Sequence, residues 1–526
     1  MPKKSLHFAV FSLLACSFVS LAMVRGLAQE QVQTDAEIVQ EISHDTSPPV
    51  SSMPLIAPRP NQATIPLHRK PGPPIVAPGG FDEALQTLPM ANVGTTNLVN
   101  RDGISDRDGV VPPDTNASVG ATQVVETVNT SYEVFSKSTG SPVFGPAEIS
   151  SIFTGLAGPC GVASNFFSDP VVLYDKAAGR WLITIIASNN SRFVPGVHCI
   201  AVSKTNNATG AYFRYSFAFG NNVPDYPKLG VWPDAYYASY NIFGPGFKGA
   251  KVCAYNRAKM LVGTQGTAVC FQRSTADFSL LPSDLDGGTA PATGTPNFFL
   301  ELATATTLKF FKFHVNFAGG STFSGPTTLT VASFSEACGG GTCIPQSGTT
   351  QKLDSLGDRL MFRLAYRKLS TQESLLVSHS VKPTTGPVSA VRWYEIRNPS
   401  STASVFQQGT FVVSGKAIWM PSIGMDRMGN IAVGFSQSSS TTHPGIAYTG
   451  RAPTDPLGTL QAAFTVITGG GSQTGSAFAN RWGDYSSMSI DPQDDCTFWY
   501  ANEYVPSNGN FNWHTRLNSF RFANCP

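Results

Sequence analysis

Three carboxylates stand where a strand-rich chain could use them for acid–base chemistry: Asp225, Asp484 and Glu503, with Asp114 a fourth near a proposed inner strand. Cleaving a glycosidic bond takes two carboxyl groups. One protonates the leaving oxygen, and the other activates water or attacks the sugar. Asp225-Tyr226 and Asp484-Tyr485 each stand immediately before a copy of a repeated phrase. A repeated position equally suits a shared structural task, such as holding the next strand. Arg481, Trp482, Tyr485 and Tyr226 form the accompanying ligand-binding set. Sugar rings stack on aromatic faces, although large aromatics also wedge one sheet against another. Trp482 leads as a rim residue because Arg481, Gly483 and Asp484 surround it with polarity.

A second cluster, Asp102, Asp106 and Asp108, alternates acids beside glycine in the manner of a calcium loop. Its register departs from the EF-hand pattern, with Ile104 at a ligand position and no closing Glu. No metal site is therefore assigned. The motifs require no cofactor, and calcium is the one left open. The chain has no Gly-x-Ser-x-Gly elbow, phosphate loop, His-Glu-x-x-His or dinucleotide fingerprint. Charged residues are only 13% and the net charge is +2. No basic stripe is present, so nucleic acid is not an expected partner.

Cysteine usage points outward. Setting Cys16 aside leaves Cys160, Cys199, Cys253, Cys270, Cys338, Cys343, Cys496 and Cys525, an even set that reads as disulfides in an exported chain. Neighbouring cysteines fall within one repeat or loop, which favours 160–199, 253–270, 338–343 and 496–525. Zinc is disfavoured, since no two cysteines sit at two-residue spacing. Lys3 and Lys4 precede an apolar run from Phe8 to Val24, and Gly26-Leu27-Ala28 supplies small residues for cleavage before Gln29. Residues 1–28 thus read as a signal peptide, with an uncleaved membrane anchor as the alternative. No membrane span is expected once it is cleaved, and the location is secreted, periplasmic or cell-surface.

The elements that must carry these residues are short strands. Gly, Ser, Thr, Asn and aromatics abound, which suits strands with polar turns. One strand–turn–strand phrase recurs, anchored at Pro113, Pro170, Pro227, Pro296, Asp354, Pro421 and Ser486. It is clearest as Pro170-Val171-Val172-Leu173-Tyr174-Asp175 running into Gly179-Arg180-Trp181, and as Pro421-Ser422-Ile423-Gly424-Met425-Asp426 running into Gly429-Asn430-Ile431. A repeat of this length predicts an all-β fold: a single β-propeller of seven blades, with six or eight the alternatives, each of four antiparallel strands, over residues 95–526. The final strand, Leu517 to Phe522, is expected to pair with the first blade and close the ring. Residues 29–90 are dense in proline between Thr46 and Gly80 and read as a disordered linker.

Asp169-Pro170-Val171-Val172, Arg481-Trp482-Gly483-Asp484-Tyr485-Ser486 and Cys496-Thr497-Phe498-Trp499-Tyr500 resemble phrases of exported bacterial proteins with a sialidase-like propeller. Most of those proteins have no assigned activity, and the resemblance spans residues 95–526. Such propellers carry Asp-box turns, for which Asp175, Asp426 and Asp491 are loose relatives with a structural role. An active sialidase adds three arginines to clamp a carboxylate, here drawn from Arg359, Arg363, Arg392, Arg481 and Arg516. The N-terminal Arg-Ile-Pro phrase of that enzyme is absent. The expectation is a monomeric, non-catalytic propeller that binds glycan or extracellular protein. The alternative is a carbohydrate-active hydrolase or lyase using the funnel acids.

Overall fold

A computed structural model describes residues 1–2, 31–55, 63–88, 90–370, 372–475 and 480–526. The expected signal peptide, apart from its first two residues, lies outside the described residues. Strand formation follows the composition. Phe166–Asp175 and Arg180–Ser188, for example, are runs of Val, Ile, Leu and aromatics joined by a turn at Gly179, where φ is +63°. Four such strands in succession make an antiparallel meander, and the described strands repeat this arrangement into an all-β propeller.

The innermost strands of the meanders, in chain order, are Asn116–Val119, Phe166–Asp175, Val223–Val231, Leu281–Asp286, Met361–Leu369, Ala417–Met425 and Ser487–Ile490. The fourth and fifth meanders also join directly, because Ser283 to Asp286 pair in parallel with Leu364 to Arg367. At the other junctions one side chain accepts an amide from the next meander. Asn116 takes Val172 N at 2.8 Å, Asp169 takes Tyr226 N at 3.0 Å, and Asn241 takes Ser279 N at 2.7 Å. Ser380 takes Met420 N at 3.2 Å, and Ser422 takes Met488 N at 3.0 Å. Ser487 takes Ala117 N at 2.7 Å, which returns to the first meander. These bonds satisfy buried amides that the strand ladders leave over.

Three repeat anchors mark a backbone irregularity. Asp169, Tyr226 and Met420 have φ of +57°, +55° and +51° and directly precede Pro170, Pro227 and Pro421. The inner strand slips register at each, between Ser168 and Val171, Asp225 and Lys228, and Trp419 and Ser422. A bulge there turns the strand and redirects its side chains. The fourth anchor differs from expectation. Pro296 lies just before the second strand of its meander, Asn297–Thr304, whereas the matching kink is at Ser279, with φ +52° and no proline after it.

Residues 31–55 and 63–88 depart from the expected disordered linker. Val32–Gln33, Glu37–Gln40 and Ser43–Thr46 add outer strands to the fourth, third and second meanders in turn. Residues 63–70 then cross the face of the propeller, with Ala63–Thr64 alongside Val110–Val111. The chain continues to Thr410 of the fifth meander and Ala462 of the sixth. Proline density correctly signals extended chain, but extended chain also pairs with open sheet edges, and this belt covers them. Ring closure uses the expected partners, though the N-terminal strand joins the last sheet and not the first meander. His514–Phe522 pairs with Thr95–Ser105, so an N-terminal strand completes the seventh meander.

All four disulfides connect the neighbours expected from sequence: Cys160–Cys199, Cys253–Cys270, Cys338–Cys343 and Cys496–Cys525. Among the described residues, no helix is long and apolar enough to cross a membrane.

Candidate functional site

The bulged inner strands converge on the axis and place a dense group of charges there. Lys228, fully buried, lies between two aromatic rings, with Nζ 3.5 Å from the Tyr226 centroid and 3.9 Å from that of Tyr485. It donates to Pro227 O at 2.9 Å. Arg481 pairs with Asp484 at 2.7 Å, and Arg359 with Asp358 at 2.8 Å, while the Arg359 guanidinium also sits 4.6 Å above Tyr226. Asp114 accepts from Asp484 N at 2.7 Å and from Asn129 Nδ2 at 2.8 Å. Asp169 accepts from Tyr226 N and, at 2.7 Å, from the Ser168 hydroxyl. Glu503 accepts from the amide of Gly483.

The crossing segment covers this group. Arg481 and Arg359 donate to Ile65 O at 3.3 Å and His68 O at 2.7 Å. Lys70 N donates to Asp358 at 2.8 Å, and Arg69 pairs with Asp354. His68 Nδ1 meets Asp225 at 3.0 Å and stacks on Phe243 at 4.2 Å. Asp225, at 14% side-chain exposure, keeps limited access to water.

Burial governs the ionisation of these groups. It pushes the Asp114 carboxyl well above its ordinary value, reinforced by the charges of Asp484 and Asp169. It raises Asp169 as well, with Asp225 adding to the effect. Glu503 rises well above the usual carboxylate range through burial. Lys228 is pulled down by burial, against the attraction of Asp169, Asp114 and Asp484. For His68, burial works to lower the pKa, but the hydrogen bond and charge of Asp225 prevail and raise it.

The same physics acts elsewhere in the interior and gives a pH dependence. Burial pushes Glu126 up to about 8, and Glu133 and Glu336 up to about 7, from 4.5. The folded chain therefore holds protons that the unfolded chain has released. Stability from these groups is complete below pH 4.5 and is lost as pH rises through 7 to 8. The opposing buried histidines, His198 brought down to about 3 and His379 brought well below its ordinary value, act below 6.5. The melting temperature should fall between pH 6 and pH 8, by on the order of 5 °C. Calorimetry across that window checks this, and a rising Tm would refute it.

The structure gathers Asp225, Asp484, Glu503, Arg481, Tyr226 and Tyr485 around the axis, but not as an open rim. Tyr226 and Tyr485 are buried, the latter donating to Pro170 O at 2.9 Å. Trp482 has no exposed surface. It packs 5.4 Å from Trp419 and donates to Ser436 Oγ at 3.0 Å, so it is a core residue and offers no stacking face. Of the five candidate arginines, Arg359 and Arg481 join this group and the other three do not, so no clamp of three forms. Arg363 pairs with Asp284 and Asp286, Arg392 with Asp82, and Arg516 with Asp102. Nor do the three loop acids meet. Asp102 faces Arg516 and Tyr504, Asp106 caps Gly109 N at 2.8 Å, and Asp108 accepts from Ser131 Oγ at 2.6 Å. Among the described residues, no group of three His, Cys, Asp or Glu is placed to hold a metal ion. Asp175, Asp426 and Asp491 accept turn amides from Ala178, Met428 and Gln493, the role expected of them. Lys228, His68, Arg69 and Asp358 were not singled out from sequence. A lysine following Pro227 inside an apolar phrase was the one available signal.

No family model matches the chain, and no curated protein matches it. Solved structures with some likeness include a neuraminidase-like protein of A/little yellow-shouldered bat/Guatemala, at 10% identity over 64% of this chain and 93% of that one, TM-score 0.35. Drosophila Semaphorin 1b, extracellular domains, is 8% identical over 82% and 88%, TM-score 0.37. An exo-β-1,3-galactanase from Phanerochaete chrysosporium is 12% identical over 81% and 97%, TM-score 0.31. These likenesses carry no weight beyond the strand pairing already described.

Proposed function

We propose that this chain is an exported propeller that binds glycan or extracellular protein and performs no catalysis. The observation that carries the reading is the engagement of the axial carboxylates. Asp484 is held by Arg481, Glu503 by the Gly483 amide, and Asp114 and Asp169 by amides of neighbouring strands. A catalytic pair needs room for a sugar between its members, whereas these acids are buried beneath residues 65–70. Four disulfides support an oxidising, extracytoplasmic setting.

One observation favours the second reading, a carbohydrate-active enzyme. Asp225 retains exposure and contacts a histidine, an arrangement suited to proton transfer. Incubating the full chain with a glycan array, and reading retention and product by mass spectrometry, separates the two. Retention without product is the expected result. Product formation that Asp225→Asn abolishes would replace binding with catalysis.

A further inference from the structure

Beside the crossing segment, between the first and second meanders, lies a cavity of about 490 Å³. Its volume falls in the range of small-molecule sites. Asp108, Glu148, Thr130 and Asn165 supply polar lining, and Ile65 and Phe166 supply apolar lining. None of these residues belongs to the axial group.

Two buried carboxyl groups stand in the polar lining. Asp108 and Glu148 are 3% and 2% exposed. The Thr130 hydroxyl lies 3.0 Å from Glu148 Oε2 and 3.5 Å from Asp108 Oδ2, so the two carboxylates flank one hydroxyl. Ser131 Oγ also reaches Asp108 Oδ2, at 2.6 Å. Asp108 Oδ1 is buried and has no hydrogen-bond partner among the described residues. A buried carboxylate oxygen without a donor is costly, and a ligand that brings donors removes that cost. Phe166, 44% exposed, offers a ring to the apolar face of a ligand.

Donors on one side and an apolar face on the other describe a pyranose with adjacent hydroxyl or ammonium groups. Hydroxyls donating to carboxylates form charge-assisted bonds. A carboxylate-bearing sugar would instead face Asp108, an acid of its own sign. We infer that this cavity is a saccharide site that accepts a neutral or amino sugar residue and rejects an acidic one. The inference rests on the glycan arm of the binding function proposed above, and it places the contact in this side cavity.

The test uses the full chain on immobilised glycans ending in glucose or galactose, glucosamine, or sialic and uronic acids. Glucose, galactose or glucosamine termini should be retained and acidic termini should not, and the array reports which donor, hydroxyl or ammonium, is preferred. Asp108→Asn and Phe166→Ala should each weaken retention at least tenfold. Phe166→Ala removes a half-exposed side chain, so it remains informative if Asp108→Asn fails to fold. Retention unchanged in both variants would overturn this site while leaving glycan binding in place. Retention of no glycan would remove the glycan arm itself. Preference for acidic termini, or calcium binding abolished by Asp108→Asn without any sugar retained, would overturn the donor-matching argument.

Discussion

Replacing Lys228 with methionine should lower stability by about 3–5 kcal/mol, the usual cost of removing one partner from a buried ionic group. Methionine keeps most of the stem that fills the space between Tyr226 and Tyr485. The loss would therefore come from charge. The Lys228 ammonium lies against both rings and draws on Asp169, Asp114 and Asp484. Without it, Asp169 loses its principal positive neighbour. Since Asp169 also holds the Tyr226 amide, the junction between the second and third meanders should loosen. Urea unfolding of both proteins measures the effect. An unchanged midpoint would mean that Arg359 and Arg481 suffice to balance the axis.

The second large effect concerns the belt. Arg392 and Asp82 form an ion pair with side-chain exposures of 0% and 1%. Arg392 also donates to Thr410 Oγ1 at 2.6 Å and Ala332 O at 3.0 Å. Arg392→Met should cost about 3–5 kcal/mol by leaving the Asp82 carboxylate buried and unpaired. Adding Asp82→Asn should recover part of that loss, since the uncompensated charge is then gone. A double-mutant cycle reads the coupling directly. The single variant should also expose residues 71–88 to protease before the rest of the propeller unfolds. Additive losses with no early cleavage would show that this pair does not hold the belt.

The readable part of this fold was its repetition. Pro170, Pro227 and Pro421 fall just after a backbone kink, so one local requirement, a bulge that turns the strand, left the same mark each time. Cysteine neighbours were readable because a meander returns the chain quickly to the same place. The fourth kink was missed because Ser279 meets that requirement without proline. The belt was missed because composition reports an extended chain and says nothing about which sheet edge lies beside it. Trp482 misled because its polar sequence neighbours turn to the axis while its own ring enters the core. The acids of the site were individually visible, but their commitments were not. Whether a carboxylate is free or holding an amide depends on residues such as Tyr226, 57 positions from Asp169.

Thr95–Ser105 supplies the outer strand of a sheet whose other members come from the end of the chain, and Asn97 and Asn518 in that pairing are 421 positions apart. The order in which the polypeptide is made therefore matters. This strand leaves the ribosome early and waits, with its ladder unpaired, until His514–Phe522 has followed it. Through that interval it is an open edge that another nascent chain could claim. The sheet is therefore complete only once residues 514–522 have been made.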